Sequence, residues 1–299
     1  MEFKKIELKD RDLFLRYLGD YKFYTYEYSF TTLYLWRKYL KIEFAENEDY
    51  LVVRKHHSVF GRYFMEPIGY RDENLKSIVE ELNCIKREEN MNYLFRNVEK
   101  PFLDKLISLF GDRVEYVEDV DNFDYIYNTK DLIDLPGSKY MKRRNKFNSF
   151  VKKQEKCYFK SIDNKEVEKE CENLAKMWYE ERIEKTEEMY YELEGISDLL
   201  NNKEYLGIKC MAAFNGDGLV GFAIGEKIND RMSVVHIEKC DREIVGAYAY
   251  INRIFAKEFL NEAQFIDKEE DLGLKGLREA KMEYRPVKLE KKYIVNIKQ

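Results

Sequence analysis

The chain has 299 residues, a formal net charge of −5 at pH 7, 44% apolar residues and 15% aromatic ones. That is length for two domains of about 150 residues with cores to fill them, and the acidic balance excludes non-specific nucleic-acid binding by the whole surface. Three histidines form no cluster with the five cysteines, which excludes a zinc site of ordinary spacing.

Cys84, Cys157, Cys171, Cys210 and Cys240 are scattered and odd in number, as expected of reduced thiols. The N-terminal MEFKKIELKD does not read as a signal peptide, and no apolar run approaches the ~18 residues of a membrane span. A cytoplasmic protein with no transmembrane segment is expected. Four prolines and no Gly/Ser-rich tract leave no evident disordered linker.

In chain order, residues 9–20 read as a short helix. The stretch 21–40, YKFYTYEYSFTTLYLWRKYL, carries five tyrosines before residue 35. Phe30, Leu33, Tyr34 and Trp36 follow helical spacing, with Ser29 or Thr31 as cap. The aromatic face is either core or the wall of a groove, where Tyr and Trp offer apolar bodies with polar tips. Strands are expected at 50–55 and 59–68, with His56 and His57 as exposed turn residues between them. Helix 73–88, strand 93–98, helix 100–110 and strands near 114–118 and 123–128 complete a mixed α/β half.

The stretch 139–156, KYMKRRNKFNSFVKKQEK, holds eight Lys/Arg and one acid. Tyr140, Phe147 and Val151 lie on one helical face, and Lys142, Lys146 and Lys153 lie on another. The helix is either a solvated basic connector or a docking surface for a polyanion: tRNA, a phosphate-bearing substrate or an anionic membrane surface. In the second case Lys142, Arg143, Arg144, Asn145 and Lys146 meet phosphate, with the two arginines as bidentate clamps.

Beyond it, a strand at 157–163 precedes an acidic helix, 164–186, with Val167, Cys171, Leu174 and Trp178 as its apolar stripe. A short helix is expected at 196–200. Antiparallel strands at 209–214, 218–228 and 231–239 are joined by Asn215-Gly216-Asp217-Gly218 and Asn229-Asp230 turns. Helix 246–260, strand 264–267, helix 274–281 and strands near Tyr284 and at 291–297 end the chain.

The segment 233–260 carries the site. It reads as buried strand, short turn and helix opened by Gly246 and Ala247, an arrangement that presents N–H groups to an anion. His236 and Glu238 share one strand face; they are either a hydrogen-bonded core pair or a base and an amine binder. Asn252 is either a third catalytic group or a helix-to-strand bridge. Glu269, Glu270 and Asp271 are either an exposed turn, with Asp271 as N-cap, or a site for a cationic amino group. Arg278, Lys281 and Tyr284 follow as candidates to hold a carboxylate or phosphate, with Lys281 alternatively a helix-dipole partner. Tyr248 joins the substrate-binding set.

The order of hairpins, strand, helix, strand, helix resembles an N-acyltransferase domain of the GNAT type. Three segments narrow the resemblance: Lys142-Arg143-Arg144-Asn145 with Asn148 and Phe150; HIEKCDREIVGAYAYINRIFA; and DKEEDLGLKGLREAKMEYRPV from Asp267 to Val287. They resemble the soluble catalytic domain of lysylphosphatidylglycerol synthases (phosphatidylglycerol lysyltransferases), relatives of the Fem-type aminoacyltransferases. FTTLYLWR and FMEPIGY fit the same family, so the resemblance spans nearly the whole chain.

The resemblance implies an α/β (α+β) fold of two tandem GNAT-like domains with mixed, mostly antiparallel sheets flanked by helices. We place these at 1–136 and 157–299, with 137–156 as a basic connecting helix and the chemistry in the second half. It further implies transfer of an aminoacyl group from aminoacyl-tRNA to a small-molecule amine or hydroxyl acceptor; peripheral membrane contact stays open. The donor ester is already activated, so positioning, proton removal and oxyanion stabilisation suffice. Asp241-Arg242 followed by Gly246-Ala247 is a loose match to an acetyl-CoA loop. Acyl-CoA-dependent N-acyl transfer and a non-catalytic ligand-holding module therefore remain alternatives.

Overall fold

The computed structural model describes residues 1–19, 23–154 and 156–298. The first residues of the aromatic stretch, Tyr21 and Lys22, and Glu155 of the basic stretch lie outside them. The chain forms two compact units, Met1–Phe123 with the residues from Glu290 onward, and Asp124–Leu289.

The first unit holds β1 (Lys4–Lys5), α1 (Arg11–Leu18), α2 (Phe30–Trp36), β2 (Glu43–Glu46), β3 (Leu51–His57), β4 (Gly61–Phe64), α3 (Asp72–Glu88), β5 (Phe95–Val98), α4 (Lys100–Phe110) and β6 (Val114–Glu118). Its seven-stranded sheet runs β1-β2-β3-β4-β5-β14-β6, where β14 is Tyr293–Ile297. Helices α3 and α4 place Leu75, Ile78, Val79 and Leu82, and Phe102, Leu103 and Leu106, on the sheet at the 3.6-residue period.

The aromatic stretch is core: Tyr26, Tyr28, Phe30, Leu33 and Tyr34 are buried. Ser29 is its cap, accepting from the Thr32 N–H. Beside it Glu27 takes the Lys55 ammonium at 2.6 Å and that of Lys292 at 3.2 Å. Burial works against the Glu27 carboxylate, yet the two lysines prevail and hold its pKa down to about 2. His56 and His57 are not turn residues: they end β3, and the His57 ring meets the Tyr39 hydroxyl at 3.2 Å.

The second unit holds β7 (Asp124–Asn128), α5 (Thr129–Asp134), α6 (Met141–Lys153), β8 (Tyr158–Ser161), α7 (Lys165–Glu180), α8 (Glu187–Asn201), α9 (Lys203–Leu206), β9 (Lys209–Asn215), β10 (Gly218–Lys227), β11 (Met232–Cys240), α10 (Ala247–Glu258), β12 (Phe265–Asp267), α11 (Lys275–Met282) and β13 (Lys288–Glu290). Its sheet runs β13-β7-β12-β11-β10-β9-β8. Strands β8 to β11 are antiparallel neighbours, and β12 returns parallel to β11 after α10, the arrangement expected of a GNAT-like unit.

The sheets divide the chain differently from the expected 1–136, 137–156 and 157–299. Strand β7 pairs with β12, so the second unit begins before the basic helix; β14 pairs with β5 and β6, so the chain ends in the first sheet. The expected helix 164–186 stops at Glu180, and α8 starts from a Thr186 cap that accepts the Met189 N–H at 3.2 Å. Tyr284 lies in the turn after α11 rather than in a strand. Among the described residues no helix is long and apolar enough to cross a membrane.

Two irregularities shape the site. Strands β11 and β12 pair through Met232↔Phe265, Ser233↔Ile266 and Val234↔Asp267; β12 then ends while β11 continues to Cys240. Across the other edge, pairing with β10 jumps from Ile224↔Ile237 to Gly225↔Val235, leaving His236 as the extra residue of a bulge. Gly225 sits at that bulge because a Cβ there would run into the Val234 carbonyl oxygen.

Candidate active site

Past the last β11–β12 pair, charged side chains meet instead of backbone. The buried His236 ring offers Nε2 to Glu226 Oε1 at 3.0 Å and Nδ1 to Glu269 Oε1 at 3.3 Å. Burial alone would discharge an imidazolium; its hydrogen bonds to the two carboxylates outweigh that and raise the His236 pKa to about 9. At neutral pH both nitrogens therefore donate, and His236 has no lone pair with which to act as a base. Burial raises the Glu269 carboxyl, with the His236 charge pulling against it.

Glu238, two residues on, meets the Lys268 ammonium at 2.7 Å and the Asn252 side-chain amide at 3.4 Å. The structure thus joins Glu238 to Asn252 and Lys268 rather than to His236, the partner expected in a core pair. Asn252 is buried, and its Oδ1 is closed to solvent without a hydrogen-bond partner among the described residues.

The run Glu269-Glu270-Asp271 divides three ways. Glu269 turns to His236. Asp271 accepts from Arg278 Nε at 2.8 Å and Nη2 at 2.9 Å, from the Gly273 N–H at 2.8 Å and from the Tyr125 hydroxyl. It is thus the pin of its own loop; the residue preceding α11 is Leu274, and no side chain caps that helix. Glu270 acts on α8: Glu188 is pushed up to about 7, first by burial, then by the charges of Glu270 and Glu192.

Several expected ligand contacts prove internal. Arg278 is committed to Asp271, and Lys281 donates to the carbonyls of Lys268 and Glu269, where burial holds its pKa below the usual ammonium range. Tyr284 lies under Arg143, whose guanidinium carbon is 4.2 Å from the ring centroid. The phenol of Tyr248, in the first turn of α10, is pushed up chiefly by burial.

The phosphate clamp expected on α6 is occupied too. Arg143 and Lys142 both bond Glu283, Lys146 lies 3.8 Å from the same carboxylate, and Arg144 donates to the carbonyls of Leu135 and Gly137. Asn145 is exposed. The turn 241–247 is likewise partly self-satisfied: Asp241 accepts the Glu243 N–H at 2.9 Å, and the Ala247 N–H bonds the Ile244 carbonyl at 3.1 Å. At Gly246 a Cβ would lie 3.0 Å from the Lys146 carbonyl oxygen, so that side of the turn is closed by α6.

Glu226, Lys268, Glu188 and Glu192 escape a reading of the sequence. One signal was available: Glu188 and Glu192 stand four apart on one helix face, where like charges repel unless something offsets them. The assembled site is thus a cation–carboxylate network that leads into an acidic corner, where the charges of Glu270 and Glu192 reach Glu188 and Glu192 is itself bonded to Lys239 at 2.7 and 2.9 Å. Among the described residues no group of His, Cys, Asp and Glu has the arrangement of a metal site.

Residues 19–296 match the family described as phosphatidylglycerol lysyltransferase, C-terminal. A conserved protein of unknown function from Bacteroides thetaiotaomicron has the same fold over the full length of both chains, with a TM-score of 0.91 and 30% identity. The L-PGS structure from Bacillus licheniformis superposes with a TM-score of 0.66 at 13% identity, covering 97% of this chain and 92% of its own. An uncharacterised protein of Mycoplasmoides gallisepticum is 25% identical over 210 residues, 67% of this chain and 66% of its own length. The chain thus spans just under two thirds of that relative.

Proposed function

We propose that this chain, which belongs to the phosphatidylglycerol lysyltransferase C-terminal family, transfers an aminoacyl group from aminoacyl-tRNA to an amine or hydroxyl acceptor. An acyltransferase is the coarser conclusion that family and fold support together. The aminoacyl donor rests on the acidic corner. Glu188 is held near pH 7 by burial and by two neighbouring carboxylates, a repulsion that an arriving ammonium relieves. An aminoacyl ester brings such an ammonium on its α-carbon; a simple acyl thioester does not.

In this reading the acceptor's N–H or O–H proton passes to Glu238 as the nucleophile attacks the ester carbonyl. Lys268, already 2.7 Å from Glu238, supplies positive charge to the tetrahedral oxyanion. Collapse breaks the bond to the ribose oxygen, which takes the proton from Glu238. The buried Asn252 orients Glu238 through its amide. His236, a fixed cation, acts as a strut that holds the Glu269 loop against β11 and takes no proton in the cycle.

The test is transfer from bulk aminoacylated tRNA to small amines and to phosphatidylglycerol vesicles, with acetyl-CoA as competitor. Amide or ester formation with release of uncharged tRNA, insensitive to acetyl-CoA, is the expected result. Thiol release from acetyl-CoA on the same acceptors, with the aminoacyl-tRNA untouched, would overturn the reading.

A further inference from the structure

Of the four strands that edge the two sheets, three are guarded by brevity and by charge. β1 is two residues long and both are lysines; β13 has three residues and β8 four, and each carries a lysine, Lys288 and Lys160. Short strands and edge lysines discourage pairing with another chain. The fourth edge, β6, is Val114-Glu115-Tyr116-Val117-Glu118. It has neither lysine nor proline, its pairing with β14 runs without a bulge, and the residues from Glu115 to Glu118 are all exposed.

Which backbone groups of β6 face outward follows from its ladder. The Asp119 N–H donates to the Lys292 carbonyl at 2.9 Å, and the Lys298 N–H to the Arg113 carbonyl at 2.8 Å. Antiparallel bonding alternates, so Glu115 and Val117 turn their N–H and C=O groups to β14, while Val114, Tyr116 and Glu118 turn theirs away. No other strand pairs with β6 among the described residues. The side chains divide the same way. Val114, Tyr116 and Glu118 share a face with Ile297, Val295 and Tyr293 of the core; the Tyr116 ring meets Tyr293 edge-on at 6.0 Å and is still 49% exposed. Val117 lies on the opposite face, 60% exposed. Both glutamates are paired from the ends of β14, Glu118 with Lys291 and Glu115 with Lys298 at 2.8 Å.

We propose that β6 pairs antiparallel with β6 of a second copy of this chain, about a two-fold axis at Tyr116, so that the sheet of the first unit continues from one copy into the next. In that register every outward residue finds a partner. Tyr116 exchanges both of its hydrogen bonds with its own equivalent, and Val114 exchanges both with Glu118 on either side of the axis. The same register sets Val117 directly opposite Glu115, so no two carboxylates face each other. An axis at residue 115 would set Glu115 against itself, one at 117 would set Glu115 against Asp119, and each would leave one outward residue without a strand partner. Like charges directly opposite destabilise a ladder, so the register that satisfies the backbone is also the one that the charges permit. The proposal concerns the first unit alone and is independent of the chemistry assigned to the second.

Sedimentation velocity on the full chain tests it. Between about 5 and 500 µM the average mass should rise from 36.2 kDa toward twice that value. Val117→Glu sets a carboxylate opposite Glu115 of the second copy, on both sides of the axis, and should weaken the dimer at least ~10-fold. Val117→Lys sets an ammonium there instead and should hold or tighten the dimer, with any gain lost in high salt. Val117 is exposed, so both variants should melt with the parent. Tyr116→Pro removes the N–H at the axis, spares the bonds to β14 and should leave a monomer at every concentration. A parent that stays monomeric across the range overturns the second copy as the occupant of this edge. A dimer that both Val117 variants weaken alike, or that neither changes, overturns the pairing, because an apolar patch would give the first result and a contact elsewhere the second.

Discussion

A Cβ built on Gly246 would lie 3.0 Å from the Cβ of Phe150, so the residue that opens α10 and a phenylalanine in the last turn of α6 meet at the closest approach a side chain allows. Gly246 also holds φ at +93°, which an L side chain resists. Gly246→Val should therefore destabilise the fold by roughly 2–4 kcal/mol, combining left-handed strain with overpacking. Urea denaturation would show it. A variant of parental stability that had lost only ligand affinity would return Gly246 to the phosphate-binding role that the sequence suggests.

The same packing changes what the basic helix is for. Arg143 is 9% exposed and bonded to Glu283, which is itself about a third exposed. Arg143→Ala should cost roughly 1–2 kcal/mol, since it removes one of the cations on Glu283, which Lys142 still holds, and uncovers Tyr284. Arg144→Ala, which frees two carbonyls, should cost about 1 kcal/mol. Neither change should alter the salt slope of RNA binding; a flattened slope in either would restore the clamp.

His236 gives a pH signature. Its pKa is raised from 6.5 to about 9 in the fold, so its contribution is fully present below pH 6.5 and is lost as pH rises through 9. The ceiling is about 3 kcal/mol. Stability measured from pH 6.5 to 9.5 should fall with rising pH, and His236→Gln should be less stable at pH 6.5 and flatter across the range. Parallel curves for parent and variant would mean that the imidazole is neutral in the fold.

Much of this architecture is legible in the sequence because it is local. The strand–turn–helix from Met232 to Glu258, the alternation of His236 with Glu238 and the tight turns all depend on neighbours within a few residues. What escapes depends on register or on distant pairing. That β14 returns to lie between β5 and β6 follows from pairs such as Tyr293↔Glu118, which no window of sequence contains. That His236 finds Glu226 depends on a one-residue bulge opposite Gly225. Three adjacent acids look equivalent until the left-handed turn at Glu269, φ +59°, sends them toward different partners. The break at Arg182–Thr186 is hidden because charged residues flank the lone, exposed Ile183 in it, yet it puts Glu188 and Glu192 on a separate helix, where the charge of Glu270 reaches Glu188.

Glu188 carries the most direct test of the proposed donor, because stability and function should move in opposite directions. Its carboxyl is raised from 4.5 to about 7, by burial first and by Glu270 and Glu192 next. A raised carboxyl pKa means that the fold disfavours the charged form, so stability declines as pH rises from 4.5 through 7 and the penalty is complete above that. Glu188→Gln removes the penalty and should make the unliganded protein more stable at pH 8 by about 1–2 kcal/mol, discounted for partial solvent access. If the corner receives an ammonium, the same substitution should raise the KM for aminoacyl donor about 10-fold with a smaller effect on kcat. In the parent, KM should fall between pH 6 and 8 as Glu188 ionises, and Glu188→Gln should abolish that dependence. A Glu188→Gln protein that is both more stable and equally active would show that the corner has no part in binding the donor.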